Sequence, residues 1–201
     1  MKAANHFQAY SEKVASVLNR IDWEKAEVLA NAILDAHLRG KKIFICGNGG
    51  SAANAMHLAN DLLYGSGLNI DVEALSANTA MLTCLANDEG YDEIYARQIE
   101  AKGRLGDLLL VLSGSGNSPN VVKAIKIAKA KGLTTTAILG YSGGVCKGIT
   151  DIAVHIDVDD MQIAEDFQMM IGHMITQWLA MSKHHIYAVG KLAIGETARP
   201  M

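Results

Sequence analysis

The chain has 201 residues, half of them apolar and with no Pro-rich or charge-rich block, which is enough for one well-buried domain and too little for two. A net charge of −3 excludes the sequence-wide attraction that nucleic acid or an anionic membrane surface would need, so any anionic ligand must be held locally. Three widely spaced cysteines, Cys46, Cys84 and Cys146, exclude a disulfide framework and a thiolate zinc site. Met1 to Arg20 lacks a signal-peptide core, and no apolar run is long enough to span a bilayer, so a cytoplasmic protein free of the membrane is expected.

From Asn5 to Arg39 apolar residues recur at helical spacing, Val14, Val17, Leu18 and Ile21 and then Ala26, Leu29, Ile33 and Leu34, predicting two helices joined near Ile21 to Trp23. Gly40-Lys41-Lys42 stops the second helix and leads into a strand, Ile43 to Cys46, that ends in the glycine loop Gly47 to Gly50. A helix over Ala52 to Leu63, a strand over Ile70 to Leu75 and helices over Thr79 to Ala86 and Asp92 to Lys102 follow. The strand–loop–helix unit then recurs as Leu108 to Leu112, Ser113 to Ser118 and Pro119 to Lys131, with proline in the first turn, where its missing N–H costs nothing. A strand at Thr134 to Leu139, a turn at Gly140 to Gly144, a strand at Ile152 to Ile156 and a long helix from Gln162 to His184 complete the pattern. Short apolar strands alternating with helices predict an α/β fold, a three-layer αβα sandwich around a five-stranded parallel sheet, with a helical N-terminal extension. One domain over residues 1–201 is expected, with the helical segment at about 1–39, the core at about 40–187 and a loosely held tail at about 188–201.

In an open parallel sheet, ligands bind where the C-terminal ends of strands meet helix N-termini, because backbone N–H groups there are free to hold an anion. Both distinctive loops sit at such places. The first reads Cys46-Gly47-Asn48-Gly49-Gly50-Ser51-Ala52 and the second Ser113-Gly114-Ser115-Gly116-Asn117-Ser118. Either alone could be ordinary turn chemistry, but two at equivalent positions point to a phosphate cradle. A Walker loop is absent; a dinucleotide fingerprint, Gly47-x-Gly49 with Ala52 at its third position and Asp71 beyond, is a weaker alternative that leaves the second loop without a role. No nucleotide cofactor is expected.

His57 and Asp61 lie four apart on one helix face, and Glu165 and His173 eight apart on another. These four could supply general acid–base groups or bind a divalent metal through nitrogen and oxygen, and spacing alone does not choose between them.

The first loop with His57 and Asp61, then Asn87-Asp88, then Gly106-Asp107 running into the second loop, resembles the SIS-domain phosphoheptose isomerases over about Phe7 to Leu179. The resemblance implies a homotetramer with active sites between subunits. It also implies conversion of sedoheptulose 7-phosphate to D-glycero-D-manno-heptose 7-phosphate through an enediol, for lipopolysaccharide or capsule precursors. Carried over by position, the catalytic pair is Asp61 and His173, and a metal, zinc first, would be bound by His57, Asp61, Glu165 and His173. Phosphate would lie against Ser51, Ser113, Ser115 and Ser118, with Asn48 and Asp88 near a C7 sugar, and Gly49, Gly50, Asn87 and Gly114 would also bind substrate.

The chain departs from the family pattern where Asp61 and Glu165 replace the usual glutamate and glutamine, where Gly114 replaces a hydroxyl residue, and where Tyr64 to Leu68 lacks an arginine. A base drawn back by one methylene matters, since errors near 1 Å can cost on the order of 10²-fold in rate, while the added carboxylate at Glu165 favours a divalent ion. An isomerase of a different sugar phosphate, and a non-catalytic sugar-phosphate sensor or partner of the replication initiator DnaA, are the alternatives.

Overall fold

The computed structural model describes residues 2–193, and side chains as far as residue 183. Two helices, α1 (Ala3–Leu18) and α2 (Trp23–Leu38), precede β1 (Ile43–Cys46) and α3 (Gly50–Asn60). Next come β2 (Val72–Ala74), α4 (Thr79–Asp88), a 3₁₀ turn at Tyr91–Glu93, α5 (Ala96–Lys102), β3 (Leu108–Ser113) and α6 (Pro119–Ala130). The chain ends with β4 (Thr134–Leu139), α7 (Gly144–Ile149), β5 (Ile152–His155) and α8 (Met161–Ala193). The five strands form one parallel sheet in the order β2-β1-β3-β4-β5, as expected.

Period-two alternation divides the strands between two cores. Ile43, Ile45, Leu108, Leu110, Leu112 and Ile138 pack with α2, α3 and α8 on one face, while Phe44, Cys46, Leu109, Val111, Ala137 and Leu139 pack with α5, α6 and α7 on the other. Because both faces are covered, the central strands read as unbroken apolar runs rather than as alternating ones. β1 and β3 are neighbours whose connections leave in opposite directions, to β2 and to β4, so the crevice between their C-terminal ends is the switch point at which such sheets bind ligands. The two distinctive loops follow these two strands.

Besides β2, trimmed at both ends, and the expected helix over Asp92 to Lys102, which divides into the 3₁₀ turn and α5, three elements differ from the sequence expectation. Over Asp61–Gly65 the first-loop helix becomes a π-helical turn, in which the Ser66 N–H reaches back to the Asp61 carbonyl at 2.8 Å. A short helix, α7, follows the expected turn at Gly140 to Gly144; it is held by the Cys146 N–H donating to the Gly116 carbonyl at 2.9 Å, with the Cys146 side chain fully buried. The last helix runs to Ala193, so the first part of the expected tail is helical; residues 194–201 lie outside the described residues. Isolated glycine at Gly190 is too weak a breaker to end a helix with apolar residues on both sides of it. No helix among the described residues is long and apolar enough to cross a membrane.

The edge strand β5 is secured by Asp151, whose carboxylate accepts from the Lys129 ammonium at 2.8 Å and from the Thr135 hydroxyl and amide at 2.7 and 2.9 Å. Burial alone would raise its pKa, but these three donors outweigh burial and hold it below the usual carboxylate value. A depressed folded-state pKa stabilises the fold above the unfolded-state value and ceases to do so as pH falls through the folded-state one. Asp151→Asn is therefore expected to cost about 1 kcal/mol at pH 7, allowing for partial exposure. In urea unfolding the gap from wild type should close below about pH 3.

Candidate active site

The first loop is shaped by what its glycines permit. A Cβ on Gly47 would lie 2.7 Å from the Leu112 carbonyl oxygen and 2.8 Å from Ser51 Cβ, so only glycine lets β1 turn this closely beside β3. Gly49, at φ 56°, adopts a conformation that L side chains rarely take, and α3 starts at Gly50 with Ser51 buried in its first turn. In the second loop the Ser113 hydroxyl accepts from the Gly116 N–H at 3.0 Å and the Ser115 hydroxyl from the Asn117 N–H at 3.2 Å. Ser118 precedes α6 without a side-chain capping bond, which leaves its hydroxyl for a ligand.

Both loops open on one cavity of about 270 Å³. Eight of the ten residues that the sequence marks for substrate line it: Asn48, Gly49, Gly50, Ser51, Ser113, Gly114, Ser115 and Ser118. No lysine or arginine is among its walls; its positive character comes from the N-termini of α3 and α6 and from hydroxyl donors. Met161 and Glu165 close it from α8. The Met161 thioether fills the space that a side chain on Gly114 would need, and the Glu165 carboxylate lies where a Cβ on Gly50 would project. A side chain at position 114 would therefore require the Met161 thioether to move.

Asn87 and Asp88 are not brought into this cavity. They stand at the exposed end of α4, where the Asn87 amide donates to Asp88 at 2.7 Å and the Cys84 thiol at 3.4 Å; these bonds, the amide first, hold the Asp88 carboxyl below its usual range.

The remaining candidates lie on α3 and α8, which run side by side in the same direction. Gly50 meets Glu165, Asn54 meets Gln168, Leu58 meets Gly172, Asp61 meets His173, and Gly65 meets Thr176. The Asn54 amide donates to both the Gln168 side chain and the Glu165 carbonyl at 3.0 Å. The bare Cα of Gly172 lets Leu58 pack close, and that approach places His173 beside His57. The separations are 3.2 Å between the two Nε2 atoms, 3.4 Å from His57 Nε2 to Asp61 Oδ2 and 3.5 Å from His173 Nε2 to Asp61 Oδ2. Ligands about 2.05 Å from a tetrahedral ion lie about 3.3 Å apart, so these three fit a zinc-sized divalent cation with an open position. They are the only such group among the described residues, and Glu165 is not part of it. His57 and Asp61 lie seven and eleven residues beyond Gly50, which at the helical rise is roughly 10 and 16 Å along α3.

Sequence reasoning missed Asn120 and Met161. Asn120 is buried and exchanges two amide hydrogen bonds with Asn48, at 2.9 and 2.8 Å, tying the two loops together. Nothing local in the sequence separates it from a solvated first-turn asparagine. Met161 has no polar signature to mark it.

Residues 8–140 match the SIS domain family. The phosphoheptose isomerase of Chlorobaculum parvum is 42% identical over 174 residues, 84% of this chain and 83% of that protein. The chain belongs to the SIS-domain phosphoheptose isomerases. The phosphoheptose isomerase of Akkermansia muciniphila is 38% identical over 75% of this chain and 82% of its own length. Among solved structures, the phosphoheptose isomerase GmhA of Neisseria gonorrhoeae has a TM-score of 0.81 at 31% identity, covering 88% of this chain and 95% of its own. The phosphoheptose isomerase of Francisella tularensis has a TM-score of 0.83 at 26% identity, covering 90% and 100%. Likeness to the sugar isomerase domain of an RpiR transcription factor from Sphaerobacter thermophilus, at 19% identity and a TM-score of 0.66, shows the fold alone.

Proposed function

We propose that the chain is an aldose–ketose isomerase that converts sedoheptulose 7-phosphate to D-glycero-D-manno-heptose 7-phosphate in the cytoplasm, supplying heptose precursors of bacterial surface polysaccharide. The observation that carries this is the convergence of a glycine-rich loop, a serine-rich loop and two helix N-termini on one cavity at the switch point, in a chain of this family. Such a cradle suits a phosphate dianion: N–H and O–H donors satisfy its oxygens, and the helix ends supply partial positive charge without a side-chain cation. Asn48 and Ser118 stand at the edge of the cradle, where the sugar begins.

In this reading Asp61 removes the C1 proton of the ketose and returns it to C2, and His173 serves the carbonyl or ring oxygen, moving the hydroxyl proton from one oxygen to the other. His57, Asp61 and His173 would hold a divalent ion, zinc by their two nitrogens and one oxygen, and that ion would polarise the oxygens on C1 and C2. Glu165, the fourth ligand expected from the sequence, is assigned to the pocket wall.

The chain folds in this reading as one SIS domain that assembles into a homotetramer with sites between subunits. The axial offset between pocket and His/Asp cluster supports this, because α3 leads away from the sheet's ligand-binding end and a second copy must bring a cluster to each cradle. Exposed apolar residues also support it: Leu63 and Tyr64 beside Asp61 are 51% and 82% exposed, and α4, which carries Asn87 and Asp88, buries none of its residues. Removing such surface from water is the main driving force for association.

Sedoheptulose 7-phosphate incubated with the protein in deuterated water should yield heptose 7-phosphate carrying deuterium at C2, followed by NMR. A chelator should slow the exchange and added zinc restore it. Saturable binding with no exchange under any metal condition would replace this reading with that of a non-catalytic sensor.

A further inference from the structure

Two cavities share the boundary formed by Asn48 and Ser118. One is the phosphate cradle; the other, of about 330 Å³, is lined by Tyr91, Asp92, Pro119 and Asn120 besides the two shared residues. We infer that Tyr91 is a positioning residue for the sugar end of the ligand, acting through the side-chain amide of Asn48.

The orientation of that amide follows from a backbone group that cannot be reversed. The Val121 N–H donates to Asn120 Oδ1 at 2.9 Å, and because a peptide N–H is only a donor, the Asn120 atom facing it must be oxygen. The Asn48 group at 2.9 Å from the same oxygen must then be its NH2, and the Asn48 oxygen accepts from Asn120 Nδ2 at 2.8 Å. The Tyr91 hydroxyl donates to this Asn48 oxygen at 3.1 Å. Both lone pairs of the oxygen are thereby used, and of the two amide hydrogens only one is engaged among the described residues. The second remains to meet a hydroxyl or ring oxygen of a ligand that passes from one cavity to the other.

Tyr91 is itself held in place. It opens the 3₁₀ turn after Gly90, at φ 106°, and Lys123 on α6 braces that turn by pairing with Asp92 at 2.8 Å and Glu93 at 2.5 Å. Tyr91 is 60% exposed, so its value lies in the hydroxyl and not in core packing. With its orientation set through Asn120, the Asn48 amide is held in position by the Tyr91 hydroxyl, which a polyol attached to the phosphate requires and a phosphate alone in the cradle does not.

The inference rests on the sugar-phosphate reading of the site and is tested by binding as well as by turnover. Calorimetric titrations of wild type and Tyr91→Phe with inorganic phosphate and with sedoheptulose 7-phosphate should show the sugar phosphate Kd rising about tenfold in the variant. The phosphate Kd should stay within about twofold, since no cradle donor is removed. In turnover, KM should rise while kcat changes little. Lys123→Met, which frees the turn, should give a smaller loss with the same selectivity. Equal loss for both ligands would show that Tyr91 merely maintains the loop and would overturn the inference. So would an unchanged sugar phosphate Kd, or a wild type that binds sugar phosphate no more tightly than phosphate. Selective loss of binding in a protein that never exchanges deuterium would uphold the inference and sink the isomerase reading.

Discussion

Asp61→Asn and His173→Gln are each expected to lower kcat by on the order of 10²- to 10⁴-fold, the usual contribution of a positioned acid or base. Both side chains are partly exposed at the α3–α8 seam and neither is packed in the core, so stability should change by no more than about 0.5 kcal/mol. Inorganic phosphate should bind both variants as it binds wild type, because neither Asp61 nor His173 is among the residues that line the cradle. Asp61→Glu restores the family's side-chain length and should retain turnover, while His57→Gln should weaken zinc binding measured by competition with a chromogenic chelator. An Asp61→Asn enzyme within tenfold of wild type would remove Asp61 from the mechanism. The π-helical turn that begins at this residue bears on the same point. Such turns are frequent at functional sites, and this one begins at the residue proposed as the base.

Gly47→Ala should damage the cradle through steric conflict alone, since Gly47 is not at positive φ. The added Cβ would meet the Leu112 carbonyl at 2.7 Å and the Ser51 Cβ and carbonyl at 2.8 Å, atoms that can yield only if β1, β3 or the start of α3 moves. Overpacking of this kind costs about 1–3 kcal/mol, and the displaced loop should lose phosphate affinity by on the order of tenfold or more. Gly49→Ala provides the contrast. No neighbouring atom lies within 4 Å of its Cβ, so its cost is that of its backbone conformation, φ 56° and ψ −123°, about 1–3 kcal/mol. Urea unfolding and phosphate calorimetry on the pair separate steric from conformational effects. Undiminished phosphate binding by Gly47→Ala would show that the anion is held elsewhere.

Much of this was legible in the residues because it depends on short-range physics. Strands Ile43–Cys46 and Thr134–Leu139 fall where their apolar runs are bounded by Gly, Lys and polar loops, and the proline at 119 opens α6 as its missing N–H predicts. The short helix α7 was not legible: six residues including two glycines carry no helical period, and α7 forms because the second loop offers a carbonyl at Gly116 and the core accepts Cys146. The edge strand β2 spans only Val72–Ala74 of the expected Ile70 to Leu75, although Asp71 and Leu75 still make backbone hydrogen bonds with Ile43 and Ile45 of β1.

The site divides in the same way. Sequence by itself determined the cradle, because glycine, serine and helix-start chemistry are local and two such loops after parallel strands must meet at the sheet's C-terminal edge. It also placed His57 beside Asp61, one helical turn apart. Only the tertiary structure decided that His173 joins them while Glu165 turns to the cradle over Gly50, that Met161 occupies the space beside Gly114, and that Asn120 locks Asn48. Each of these depends on which residues of α3, α6 and α8 face one another, and that register is set by how closely the helices pack at Gly172 and Gly50, a long-range steric condition that no local pattern encodes.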